Sequence, residues 1–112
     1  TTGGVELGNT LLTPLFVSTP VRGAVTNRSG TITTGATAQT LAAANTSRSY
    51  FFFENISVED MWLNFTTTAV ADQPSIKVPA GGSFVMEGSF ISTELISLIA
   101  ATTGSKFVAK EG

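Results

Sequence analysis

Short runs of β-favouring residues recur at close spacing from Gly30 onward, and this feature most limits how the chain can fold. Glycine, proline and polar turn residues separate the runs. Closely spaced short strands are typical of a sandwich or barrel rather than of βαβ units. We therefore predict an all-β fold, a single antiparallel β-sandwich of about eight short strands. The runs are Thr31–Thr34, Ala38–Leu41, Ser49–Glu54, Met61–Phe65, Ser75–Val78, Ser83–Glu87, Leu95–Ala101 and Lys106–Lys110.

Two turns have a composition that predicts hairpins. Pro79–Gly82 lies between two of the runs, and Thr102–Gly104 lies between the last two. Tight turns rich in glycine commonly join adjacent antiparallel strands. We therefore expect a hairpin at each of these positions.

The composition excludes most catalytic chemistry. The chain has 112 residues, the size of one domain with a modest core. It contains no cysteine and no histidine, so disulfides, thiolate nucleophiles, histidine acid-base catalysis and ordinary zinc sites are excluded from this sequence. A formal net charge of −2 with six scattered Lys and Arg argues against nucleic acid. We predict no enzyme activity, no cofactor, no metal and no nucleic-acid partner.

The remaining carboxylates and lysines do not form a pattern typical of an active site. Glu59 and Asp60 are adjacent, so on a strand they would point to opposite faces, and their position between two runs favours a turn. A Ser–Lys dyad stays open, with Lys77, Lys106 or Lys110 as the base. Nothing in the sequence supports it.

No segment predicts a membrane span. The most apolar stretch, Leu95–Ala101, covers only seven residues, whereas a helix needs about 20 to cross a bilayer. The first residues show no basic leader followed by an apolar core. We expect a soluble protein without a membrane partner.

Residues 1–29 differ from the rest and are predicted to form an extended N-terminal arm, with the β-sandwich domain at 30–112. Glycine, proline and asparagine interrupt every run in this segment. It nevertheless contains several large apolar side chains, which a disordered tail would lack. Two alternatives stay open: the arm packs on its own domain as an edge strand, or it docks on a neighbouring subunit. The apolar residues are Leu11, Leu12, Leu15, Phe16 and Val17.

Aromatic residues indicate interaction surfaces. The run Ser49–Glu54 contains four consecutive aromatic residues, Tyr50–Phe53. Such a run predicts a strand covered on both faces, one by the core and one by the arm or a partner. In Met61–Phe65, alternation places Trp62 and Asn64 on the face away from the core. Tyr50, Trp62 and Asn64 are therefore interface candidates. Trp62 with Asn64, Asp60 and Asp72 also suits carbohydrate binding, which we keep as an alternative.

The sequence resembles small β domains of tailed-bacteriophage virion proteins from Gly30 to the end. The segments that carry the resemblance are Gly30–Leu41, Ser49–Asn55, Trp62–Phe65, Val78–Phe84 and Ile99–Gly112, with Ala100–Gly112 the most similar. These are strand and turn patterns rather than active-site motifs. The small size and the apolar arm look most like capsid decoration proteins of the cement or staple type.

The resemblance implies a jelly-roll-like sandwich or related barrel without catalysis or a cofactor. It implies a protein made in the host bacterial cytoplasm and located on the capsid surface of the virion. Its partner would be the major capsid (coat) protein, and copies would associate as a homo-oligomer or by capsid symmetry. The alternative is a tail-associated or receptor-binding or carbohydrate-binding module. Residues 1–29 lie outside the resemblance, so the assignment of the arm to coat binding follows from its apolar content alone.

Overall fold

The computed structural model describes residues 24–112, which form strands, turns and loops with no helix in that range. The predicted all-β class is confirmed. The strands are short because turn-forming residues interrupt each β-favouring run after a few positions. Numbered along the described chain, they are β1 (Thr26–Asn27), β2 (Gly30–Thr31), β3 (Gln39–Ala42), β4 (Phe51–Asn55), β5 (Met61–Asn64), β6 (Ile76–Val78), β7 (Ser83–Met86), β8 (Ile96–Ala100) and β9 (Lys106–Glu111).

The strands form two antiparallel sheets with jelly-roll connectivity. In the five-stranded sheet, β1 and β2 both pair with β9, which is followed by β4 and then β7. In the four-stranded sheet the order is β3, β8, β5, β6. The pairs β5–β6, β4–β7, β3–β8 and β2–β9 are nested in sequence, one inside the next. A long hairpin folded over into two sheets has this nesting, which defines the jelly roll.

Side-chain alternation directs one face of each sheet into a shared core. Phe51 and Phe53 on β4 are fully buried, and so are Met61 and Leu63 on β5, which confirms the predicted alternation there. The rings of Phe53 and Phe107 stack with centroids 5.7 Å apart. The two sheets therefore enclose one core. Its other buried members are Ile32, Leu41, Ala42, Val78, Met86, Ile96, Leu98, Ala100 and Ala109.

Both predicted hairpins are wrong. Pro79–Gly82 connects β6 to β7 and Thr102–Gly104 connects β8 to β9, and in each case the two strands belong to different sheets. The turns themselves are present, since Gly82 N donates to Pro79 O at 2.8 Å and Gly104 has a φ of 89°. Local residues make the chain turn, but pairing with distant strands decides which sheet it enters.

The sandwich begins earlier in the chain than predicted. Thr26–Asn27 pairs with β9, and Arg28 Nε donates to Glu111 Oε1 at 2.9 Å. Residues 26–29 therefore belong to the five-stranded sheet and its flank rather than to the arm.

The strand predicted at Thr31–Thr34 is shorter than expected, because β2 ends at Thr31. Ile32 enters the core, where it is 1% exposed. The backbone N of Thr33 then donates to Gln39 Oε1 at 2.8 Å, which bends the chain toward β3.

Candidate functional site

The apolar residues of the predicted arm lie outside the part of the chain that the structure describes. Coat binding by this segment stays a prediction. The residues concerned are Leu11, Leu12, Leu15, Phe16 and Val17.

Trp62 lines a groove on the outer face of the four-stranded sheet. It lies between Ile99 on β8 and Lys77 on β6, and its side chain is partly exposed. The groove measures about 430 Å³, which is within the usual range for small-ligand sites. Its walls are mainly apolar, with two carboxylates among them. Besides Trp62, the lining residues are Ala36, Glu59, Asp60, Ala71, Ile99, Ala100 and Ala101.

Asn64 does not share this surface, which corrects its prediction as an interface residue. It is only 2% exposed. Its Oδ1 accepts hydrogen bonds from the backbone N of Thr66 at 2.8 Å and of Thr67 at 3.0 Å, and its Nδ2 donates to Ser75 Oγ at 3.4 Å. Alternation alone places Asn64 outward, but the loop 65–75 folds back over it. Asn64 therefore organises that loop.

Glu59 and Asp60 lie in the loop between β4 and β5, as the turn interpretation predicted. Glu59 Oε2 accepts from Ser105 Oγ at 2.6 Å, and its two oxygens accept from the backbone N and Oγ1 of Thr102 at 3.1 and 2.9 Å. The hydrogen bond from Ser105 is the main reason that the pKa of Glu59 lies below its ordinary value. Asp60 Oδ2 lies 3.5 Å from Lys77 Nζ. Each carboxylate is thus engaged by neighbouring side chains.

The same loop presents two apolar side chains to solvent. Val58 is 98% exposed and Ile56 is 51% exposed. Beneath them, the fully buried Asn55 donates from Nδ2 to Glu59 O at 2.6 Å and accepts at Oδ1 from Ser57 N at 2.9 Å. An apolar side chain held on a hydrogen-bonded loop is preorganised for contact with another protein. The sequence does contain a signal for this loop, because the apolar Ile56 and Val58 alternate with turn-forming residues. The interaction surfaces predicted from the sequence did not include this loop.

Tyr50 and Phe52 form an aromatic stripe on the outer face of the five-stranded sheet. Phe52 lies between Lys110 on β9 and Val85 on β7. Tyr50 precedes β4 and exchanges backbone hydrogen bonds with Gly112 at 3.0 and 3.1 Å. Both aromatic side chains are partly exposed. At the Tyr50 end is a groove of about 360 Å³, lined by Ala24, Val25, Ser49, Tyr50, Glu87, Gly88 and Gly112.

Arg48 is a buried residue that sequence reasoning missed, because a single arginine in a loop belongs to no pattern. Its Nε donates to Glu111 Oε2 at 2.7 Å, and its Nη1 donates to the carbonyl oxygens of Ser92 at 2.7 Å and Glu94 at 2.9 Å. The guanidinium also lies 5.8 Å from the ring centroid of Phe51. Its donors are engaged within the domain, so Arg48 supports the fold.

Two further findings apply to residues 24–112. They include no group of three or more His, Cys, Asp or Glu side chains that could hold a metal ion. They also include no helix with the length and hydropathy needed to cross a membrane.

No protein-family model matches the chain, and no curated protein matches it. Among solved structures, the chain is similar to one from Bacillus endospore appendages, which are described as a novel family of disulfide-linked pili. The two chains are 17% identical and superpose with a TM-score of 0.43, over 84% of this chain and 92% of the other.

Proposed function

We propose that this chain is a structural virion protein that binds the outside of a phage capsid at the seams between coat subunits. It would stabilise the shell as a decoration or cement protein, without catalysing a reaction. Its partner is then the major capsid protein, and its location is the capsid surface after synthesis in the host bacterial cytoplasm. Opening a seam would also require breaking the contacts that the bound protein adds.

One observation carries the proposal: in residues 24–112 the buried polar side chains hold loops in place, while apolar side chains stand exposed on those loops. The buried polar side chains all make hydrogen bonds inside the domain. Val58 is almost fully exposed on the loop that Asn55 fixes. A surface of this kind favours protein contacts over chemistry. The buried polar residues are Arg48, Asn55, Asn64, Ser92, Ser97 and Glu111.

Binding to isolated expanded capsids tests this proposal. The full chain is added to empty phage capsids that lack it, and co-sedimentation and the melting temperature of the capsid are followed over a titration. We expect saturable binding and a raised melting temperature. Absence of binding to heads would contradict the proposal and favour attachment to a tail or a receptor.

A pair of variants tests whether the Val58 loop makes the contact. Val58→Asp adds a charge to a side chain that is 98% exposed, so the fold should be unaffected. Thr68→Asp adds the same charge to an exposed residue in the loop 65–75 and is the matched control. We expect Val58→Asp to weaken capsid binding about tenfold or more and Thr68→Asp to leave it unchanged. Equal binding by both variants would exclude the Val58 loop.

A truncation tests the arm. Removing residues 1–19 deletes the apolar cluster and leaves the described strands intact. If the arm binds coat subunits, the truncated protein stays folded but loses its protection of capsids against heat. If the arm instead packs on its own domain, the truncated protein unfolds or aggregates.

Carbohydrate binding is the second candidate, and the Trp62 groove is what favours it. An exposed indole can stack on a sugar ring, and Glu59 and Asp60 in the same groove offer oxygens to hydroxyl groups. In that case Trp62→Ala abolishes glycan binding on an array of bacterial surface sugars and leaves capsid stability unchanged.

A further inference from the structure

The outer face of the five-stranded sheet combines apolar and charged side chains in an ordered grid. We call it the Phe52 face, and it consists of Asn27, Tyr50, Phe52, Glu54, Ser83, Val85, Val108 and Lys110. In the central row, Phe52 lies opposite Lys110 on one side and Val85 on the other. In the next row, Glu54 lies between Val108 and Ser83. Residues in register on adjacent strands point to the same side, so these side chains share one surface.

Phe52, Val85 and Val108 form an apolar cluster among the polar side chains of this face. Antiparallel sheets that face water usually show polar side chains there. Here Val85 is 45% exposed, and Phe52 and Val108 are partly exposed. On the four-stranded sheet, by contrast, the loop 65–75 covers part of the outer face. An apolar cluster of this kind on the outer face of a sheet indicates a partner.

The charges on the face identify a second copy of the same chain as the partner that fits. Glu54 and Lys110 occupy diagonal corners of the square formed with Phe52 and Val108. Among the described residues, neither Glu54 nor Lys110 takes part in an ion pair, and Lys110 Nζ donates to the neutral side chain of Asn27 at Oδ1, 3.2 Å away. A face with one acidic and one basic corner around an apolar centre is complementary to itself after a half-turn.

We propose that two copies of this chain associate through their Phe52 faces about a two-fold axis that runs along the diagonal from Phe52 to Val108. The half-turn places Phe52 against Phe52 and Val108 against Val108, and it brings Lys110 of each copy over Glu54 of the other. Each copy then contributes one Glu54–Lys110 contact at the rim of an apolar centre. A two-fold axis along β4 would place Glu54 against Glu54, and one across the strands would place Phe52 over Glu54. The charges and the apolar residues together therefore select the diagonal axis.

The size of the face sets the strength of the association. Three to four strands about 4.8 Å apart and three rows about 6.8 Å apart give roughly 300–400 Å² per copy. Stable interfaces bury about 800 Å² per partner. We therefore expect a weak dimer in solution that becomes populated where copies are held close together, as on a repeating surface.

Exchanging the charges of Glu54 and Lys110 in the full chain tests the dimer. Sedimentation velocity from low micromolar to near-millimolar concentration gives the dissociation constant. We expect a reversible monomer–dimer equilibrium that Glu54→Lys and Lys110→Glu each weaken about tenfold. The double variant, which restores opposite charges across the axis, should recover the original constant to within about threefold. Lys77→Glu alters a lysine on the other sheet and is the control, with no change expected.

A strictly monomeric parent protein would overturn the proposal, as would a double variant that fails to recover dimerisation. Circular dichroism and urea unfolding of each variant separate loss of association from loss of folding. Capsid binding by the same variants is measured independently. The dimer and the proposed capsid function can therefore fail separately.

Discussion

The guanidinium of Arg48 and the carboxylate of Glu111 form a buried ion pair that joins the last strand to two loops. Nε and Oε2 lie 2.7 Å apart, and the two side chains are 0% and 4% exposed. Arg48 also donates from Nη2 to Ala43 O at 2.8 Å. Because its other donors bind carbonyl oxygens of the segment between β7 and β8, one side chain fixes the loops at this end of the sandwich.

Replacing Arg48 should strongly destabilise the protein. Arg48→Met leaves the buried Glu111 carboxylate with the more exposed Arg28 as its charge partner, and it removes the donors to three carbonyl oxygens. Breaking a buried pair by removing one partner costs about 3–5 kcal/mol. Urea unfolding followed by circular dichroism measures this loss. Arg28→Met is the control, because Arg28 is 43% exposed and its loss should cost less than about 1 kcal/mol. Similar losses for both variants would contradict this account.

Stability should fall in acid through Glu111. Burial acts to raise the pKa of its carboxyl, but hydrogen bonds from Arg48, Arg28 and Asn45 outweigh burial and hold the pKa below the ordinary 4.5. Below its ordinary pKa the unfolded chain binds this proton more readily, so the stabilisation is present at neutral pH and is lost as the pH falls.

Urea unfolding over a series of pH values from about 7 to 3 measures this effect. Glu111→Gln should be less stable at neutral pH and should show a shallower decline in acid. Glu87→Gln removes an exposed carboxylate outside this ion-pair network and is the matched control. An unchanged slope in Glu111→Gln would show that other groups determine the acid response.

Removing the side chain of Asn64 should release the loop 65–75. Asn64→Ala leaves the backbone N of Thr66 and of Thr67 without their acceptor, at a cost of about 1–3 kcal/mol. Hydrogen exchange should accelerate within 65–75 before it does in the strands. Thr68→Ala, at an exposed position of the same loop, is the control. Uniform acceleration over the whole domain would contradict a local role for Asn64.

Two glycines should respond differently to substitution by alanine. At Gly35 an added Cβ would lie 2.3 Å from Ala101 O and 3.0 Å from Thr103 N, so backbone would have to move. At Gly81, with a φ of 79°, the space is open and only the left-handed backbone opposes alanine. We expect a loss of about 3 kcal/mol or more for Gly35→Ala and about 1–2 kcal/mol for Gly81→Ala, measured by urea unfolding. A larger loss at Gly81 would contradict this order.

Sequence reasoning predicted the features that depend on near neighbours. The inward Met61 and Leu63 follow from the two-residue period of a strand. The strand predicted from the aromatic run Ser49–Glu54 is observed at Phe51–Asn55. Trp62 is placed outward by the same period, and the structure leaves it partly exposed. The turn at Glu59 and Asp60 likewise follows from local composition. These predictions succeed because alternation and turn chemistry are local properties of the chain.

The candidate surfaces depend on contacts that no local pattern contains. The sequence by itself determined an all-β chain with strands near their observed positions and with apolar side chains on alternate residues. Only the tertiary structure decided that Pro79–Gly82 and Thr102–Gly104 cross between sheets, that Asn64 is covered, and that Arg48 meets Glu111. The physical reason is that a jelly roll pairs strands far apart in sequence, so its register and its loop contacts are set by long-range packing.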